Sequence, residues 1–137
     1  MDIENKIKGY FSSRKGVITV YLFGSVAAGK ENRFSDVDVA VLFDPAMPPR
    51  EYSDEILSIM DDLSRILDRE IDVVALNNTG AFLKYQIIKS GVRIYEREGR
   101  AEHSFEARAI VEYLDFLPIR SMLEKAVISD IKGASHG

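Results

Sequence analysis

The connection between the first two β-rich runs leaves no room for a crossover helix, and this limits the fold more than any other feature of the chain. Val17 to Phe23 is dense in β-branched and aromatic residues and predicts a strand. A second strand is predicted from about Asp36 to Phe43. Between them stands Gly24-Ser-Val-Ala-Ala-Gly29-Lys30, which has the spacing of a phosphate-cradling P-loop. A P-loop carries Ser or Thr after its lysine and feeds a full helix that crosses to a parallel strand. Here Glu31 follows Lys30, and only Glu31 to Ser35 remain before the second strand. One turn of helix fits after Ser25; a crossover helix does not. The P-loop reading has two faults, the missing hydroxyl and the missing helix.

The rest of the chain supplies the helices. Ile3, Ile7, Tyr10 and Phe11 recur at helical spacing over residues 3–11. Asp44-Pro-Ala-Met-Pro-Pro breaks regular structure, because proline fixes φ and removes donors. From about Ser53 to Asp68, Ile56, Met60, Leu63, Ile66 and Leu67 mark one helix face. Glu70 to Leu76 predicts a third strand, and Asn78 or Thr79 is expected to cap a helix that Gly91 stops. Val92 to Tyr95 predicts a short fourth strand. From Arg100 to about Ile131 the pattern is helical, with Pro118 expected to kink or divide it and the tail from Gly133 expected to fray. The fold class is therefore α/β (α+β): a mixed sheet of three or four strands, helices mainly on one face, and a C-terminal helical region. Residues 1–137 are expected to form one domain, its core at about 17–95 and its helical region at about 100–131.

Chemistry concentrates at the strand starts. Alternation puts Asp36 and Asp38 on one face, about 7 Å apart along the chain, while Val37, Val39 and Val41 face the other way. Like-charged carboxylates on one face suit a hard cation such as magnesium, which also takes phosphate oxygens. Two solvated aspartates at a strand edge are the plainer alternative. Asp72 begins the third strand as Asp36 and Asp38 begin theirs. The intervening helix makes a right-handed parallel crossover the default, which sets Asp72 beside the pair. Gly24 and Ser25, at the end of the first strand, reach the same place if that strand runs antiparallel to the second.

Gly24-Ser25, ten residues, then Asp36-Val37-Asp38, with the later Asp72, resembles the signature of the DNA polymerase β-like nucleotidyltransferases. The resemblance covers roughly residues 17–95, and the short chain is similar to the minimal nucleotidyltransferases, the MNT antitoxins encoded beside HEPN-domain ribonuclease toxins. It implies a nucleotidyltransferase fold and transfer of AMP from ATP to a tyrosine of the toxin. It also implies a two-metal magnesium site on Asp36, Asp38 and Asp72, these three being catalytic, with Gly24 and Ser25 at the nucleotide's phosphates. Two other readings stand beside it. One is a small-molecule nucleotidyltransferase of the antibiotic-modifying type, which usually adds a second domain for its acceptor. The other is a binding module that blocks a toxin by contact, for which a lost aspartate would be expected.

Bulk properties narrow the partners. The net charge of −4 argues against a long nucleic-acid footprint. No run approaches the length of a membrane span, and the N-terminus has no apolar signal region. The chain has no cysteine, which excludes disulfides and thiolate metal sites and fits a reducing cytoplasm. Lys30 and Arg33 read equally as phosphate-balancing groups or solvated loop charges, and Ser35 reads as a strand-entry residue. Arg93, Arg97 and Arg100 read as a solvated basic run, His103 and His136 have no partners at ligand spacing, and Tyr85 reads as core. The stretch from Phe105 to Ile131 carries more apolar residues than one sheet-facing stripe needs. Either a bent helix wraps its own core, or a surplus apolar face docks a partner.

Overall fold

The computed structural model of the chain describes residues 2–27, 29, 36–97 and 101–136, with side chains in the last stretch from 104 to 131. Helix α1 (Ile3–Ser12) leads into strand β1 (Val17–Phe23), the single-turn helix α2 (Gly24–Ala27) and strand β2 (Val37–Phe43). Helix α3 (Tyr52–Leu67), strand β3 (Ile71–Ala75), helix α4 (Ala81–Ser90), strand β4 (Val92–Glu96) and the long helix α5 (Ala101–His136) come after it. The sheet order is β3-β2-β1-β4. β1 lies antiparallel to both β2 and β4, whereas β2 and β3, joined through α3, are parallel. The sheet is mixed, as the short first connection and the longer second one require.

Strand alternation divides the core into two layers. Val37, Val39, Val41 and Phe43 of β2 pack with Val20, Leu22, Ile71 and Val73 beneath Ile7 and Phe11 of α1 and Ile59, Leu63 and Leu67 of α3. On the other face Ile18, Tyr21, Ala40, Leu42 and Leu76 meet Ile87 of α4 and Phe105 of α5. Thus α1 and α3 cover one face, and α4 with the start of α5 covers part of the other. Asp2 caps α1, its carboxylate accepting the Asn5 N–H at 2.8 Å. Arg14 ties α1 to α3 through Glu55 at 2.7 Å and Asp62 at 3.3 Å, and Tyr10 donates to the same Asp62 at 2.6 Å. Among the described residues no helix is long and apolar enough to cross a membrane.

Two local expectations change. Gly80, not Asn78 or Thr79, stands at the N-cap of α4, and it offers no side-chain bond. Asn78 instead ends a 3-10 turn (Leu76–Asn78), while its neighbour Asn77 bonds the backbone N–H and C=O of Phe43 at 2.8 and 3.0 Å. A long-range tie to β2 thus fixes the backbone before α4. The second change is in α5, which continues through Pro118 undivided and past Ile131 to His136.

Gly91 ends α4 where its backbone passes over β1. A Cβ there would lie 2.5 Å from the Ile87 carbonyl oxygen and 3.1 Å from that of Leu22. Both obstacles are backbone, so neither can turn away. Gly91→Ala is expected to destabilise the fold by about 1–3 kcal/mol, the usual cost of overpacking. Urea unfolding measures it; an unchanged midpoint would show that α4 can shift freely on the sheet.

Candidate active site

The parallel register of β2 and β3 sets Asp38 opposite Asp72, while the antiparallel register of β1 and β2 sets Phe23 opposite Asp38. The chain leaves β1 at Phe23, so Gly24 comes next to the same carboxylate. Asp36 stands just before β2, exposed, and Asp72 is exposed as well, whereas Asp38 is partly buried. Asp38 shares its face with Ala40 and Leu42, the face on which α4 packs.

Gly24 is required twice over. Its φ of 75° lies in the left-handed region. A Cβ at this position would also collide with Oδ2 of Asp38 and lie 3.1 Å from its Cγ. The Asp38 carboxyl therefore rests against bare backbone. Ser25 occupies the first turn of α2 and is exposed.

Burial pushes the Asp38 carboxyl above its ordinary pKa, and the charges of Asp72 and then Asp36 push it further in the same direction. The three aspartates thus share one electrostatic environment. The ion pairs formed among the described residues join other groups, and none compensates this cluster. Hard oxygen donors with uncompensated negative charge fit a magnesium ion. Among the described residues no three metal-ligating side chains close to ligand spacing. The donor set is open-sided, as a site that also takes oxygens from its substrate must be.

Lys30, Arg33, Ser35 and Arg100 lie outside the described residues, as do the side chains of His103 and His136. Arg93 pairs with Glu96 at 3.0 Å and Glu106 at 2.9 Å, and Glu106 also accepts from the Tyr21 hydroxyl, tying β1 and β4 to α5. Arg97 bonds Asp44 at 2.6 Å. These arginines are structural, not merely solvated. Tyr85 stacks on Tyr113 with ring centroids 4.0 Å apart, between α4 and α5.

One part of the region has no signal in the sequence. A cavity of about 280 Å³ opens beside Gly24, between the end of β1 and one side of α4, lined by Phe23, Gly24, Leu83, Gln86, Ile87 and Ser90. Only the placement of α4 creates it. A second cavity, of about 330 Å³, lies among Leu42, Phe43, Asn77 and Arg108, at the end of β2 away from the aspartates.

Residues 5–100 match the family described as polymerase beta nucleotidyltransferase. The chain belongs to this family. It is similar to the protein adenylyltransferase MntA of Shewanella oneidensis, 25% identical over 119 residues that span 85% of this chain and 81% of the relative. It is also 27% identical to the protein adenylyltransferase MntA of Aphanizomenon flos-aquae, over 81% of this chain and 75% of that one. Among solved structures, a toxin–antitoxin crystal structure with AMP-PNP aligns with a TM-score of 0.75 at 25% identity, over 93% of this chain and 99% of the other. One chain in the structure of the tri-AMPylated Shewanella oneidensis HEPN toxin in complex with MNT antitoxin shares the fold, with a TM-score of 0.69 at 22% identity over 91% of this chain and 95% of that one.

Two variants probe this cluster directly. Gly24→Ala forces an L-residue into left-handed backbone, at about 1–2 kcal/mol, and displaces Asp38; it should lower the melting temperature and weaken nucleotide binding. Asp38→Asn should act oppositely on the metal-free protein. A carboxyl whose folded pKa is raised weakens the native state above that pKa and not below its unfolded value, near 3.9. In chelator the variant should therefore melt above the parent at pH 7, with the gap closing as pH falls towards about 4. Thermal melts across that range check it; a gap independent of pH would detach Asp38 from the repulsion.

Proposed function

We propose that this nucleotidyltransferase is a magnesium-dependent protein adenylyltransferase, moving AMP from ATP to a tyrosine of a HEPN-domain ribonuclease toxin and so acting as its antitoxin in the cytoplasm. The observation that carries the reading is the register that gathers Asp38, Asp72 and Gly24 at one end of the sheet, in a chain similar over most of its length to protein adenylyltransferases. In this reading the tyrosine hydroxyl gives up its proton to solvent as its oxygen attacks the α-phosphorus in line, and pyrophosphate leaves with the bonding pair. Gly24 lets the phosphates approach the backbone, and the Ser25 hydroxyl donates to them. Asp36 and Asp38 would hold magnesium on the donor's phosphates, and Asp72 would complete a second site on the side of the attacking hydroxyl. When bound, such ions neutralise charge on the entering and leaving oxygens.

A protein acceptor suits the surface. On α5, Leu114, Ile119, Met122, Leu123, Val127 and Ile131 are each 55–70% exposed, and they point to all sides of the helix. Apolar side chains left exposed on several sides of one helix, among charges such as Arg120 and Glu124, take a partner with more than one contacting element to cover them. This surface docks the toxin and leaves neither nucleic acid nor membrane as a required partner.

The test is the mass of the toxin. Incubated with the chain, magnesium and ATP, the HEPN protein encoded alongside should gain AMP by intact mass spectrometry, and Asp36→Asn, Asp38→Asn or Asp72→Asn should each reduce transfer at least a hundredfold. Leu123→Asp with Val127→Asp should raise KM for the toxin and leave ATP binding unchanged. A toxin that is inhibited yet unmodified would overturn the transfer and favour blocking by contact.

A further inference from the structure

Gly24 lines the cavity between the end of β1 and α4 and also lies against the Asp38 carboxyl. The Asp38 carboxyl rests on the Gly24 backbone, and Phe23, opposite Asp38 in register, lines the cavity with it. Leu83, Gln86, Ile87 and Ser90 complete the wall, spaced i, i+3, i+4, i+7 along one side of α4. Its volume, about 280 Å³, sits at the small end of the roughly 300–1,000 Å³ range of small-molecule sites. That is room for one nucleoside.

The lining has the composition such a ligand needs. Phe23 offers an aromatic ring, and Leu83 and Ile87 aliphatic surface, to a base. Ser90 is exposed at the rim, while Gln86 is half-buried, and among the described residues its carboxamide has no hydrogen-bond partner. A half-buried amide with a free donor and a free acceptor is poised for a ligand that presents both.

We infer that this cavity takes the purine of the donor nucleotide, and that Gln86 selects adenine. This rests on the nucleotidyl-transfer reading of the aspartates. A nucleoside tethered to phosphates held at Gly24 and Asp38 meets the adjoining cavity first, since the other lies at the far end of β2, about 16 Å along the strand. Adenine presents a donor, N6–H, beside an acceptor, N7, and a glutamine amide meets both at once. Guanine presents two acceptors, O6 and N7, on the same edge, so the amide oxygen is left facing an acceptor. Discrimination of this kind is large because a mismatch leaves a half-buried polar group unpaired.

Binding of non-hydrolysable ATP and GTP analogues, with magnesium and without any toxin, isolates the inference from the transfer reaction. The parent should bind the ATP analogue at least tenfold tighter than the GTP analogue, and Gln86→Leu should erase most of that ratio by weakening ATP alone. A 7-deaza-ATP analogue, which lacks N7, should bind the parent several-fold more weakly and bind Gln86→Leu as ATP does. The melting temperature of nucleotide-free Gln86→Leu should match the parent. Equal affinity of the parent for the two analogues, or an unchanged ratio in Gln86→Leu, overturns the assignment. So does a variant that binds nucleotide normally but has a raised KM for the toxin, since the cavity would then hold the acceptor. If the toxin is never modified but the ratio collapses in Gln86→Leu, the base pocket stands and the transfer reading falls.

Discussion

Carboxylates at the starts of neighbouring parallel strands repel each other, and the fold must hold them there against that repulsion. It does so from behind. Val37, Val39 and Ile71, the strand neighbours of the aspartates, are buried beneath α1 and α3. Apolar packing on that face contributes several times what exposed charge repulsion removes, because each buried aliphatic side chain is worth about 1.5–3 kcal/mol. The register is locked by the same alternation: a slip of one residue would turn the valines to the open face and the aspartates into the core. Charge clustering and hydrophobic burial are therefore two sides of one strand. In the proposed function, a cation and a triphosphate would use that repulsion.

Glycine does the complementary work from β1. The strand delivers its backbone to the Asp38 carboxyl, and only a residue without a side chain can complete the approach. Nothing in Gly24-Ser-Val-Ala-Ala-Gly29-Lys30 alone distinguishes this from a P-loop. The distinction lies C-terminal to Lys30, where too few residues remain for a helix and the aspartates then alternate along β2.

Much of this was legible because it depends on local pattern and connection length. The β-branched runs gave the strands, the brief link gave the antiparallel pair, and the helix between Phe43 and Ile71 gave the parallel one. Together these gather Asp36, Asp38, Asp72 and Gly24 at one end of the sheet. Features that depend on distant contacts were not legible. Asn78 and Thr79 resemble a cap for α4, yet the backbone there is set by Asn77, which is claimed by the Phe43 backbone thirty-four residues away. Arg93 and Arg97 resemble a solvated run because their partners, Glu106 and Asp44, lie on other elements. The cavity under α4 exists only once that helix is laid on the sheet, and Gln86 carries no motif that marks it.

The two faces of the sheet also divide the protein's behaviour in solution. The α1–α3 face is closed and decides whether the chain folds. The other leads out to α5, whose apolar side chains stand in water beyond the body they are anchored to. Exposed apolar surface of that kind favours self-association. The concentration at which the free chain stays monodisperse is thus set by its last helix and not by the stability of its core, so a well-folded preparation can still be a poorly soluble one.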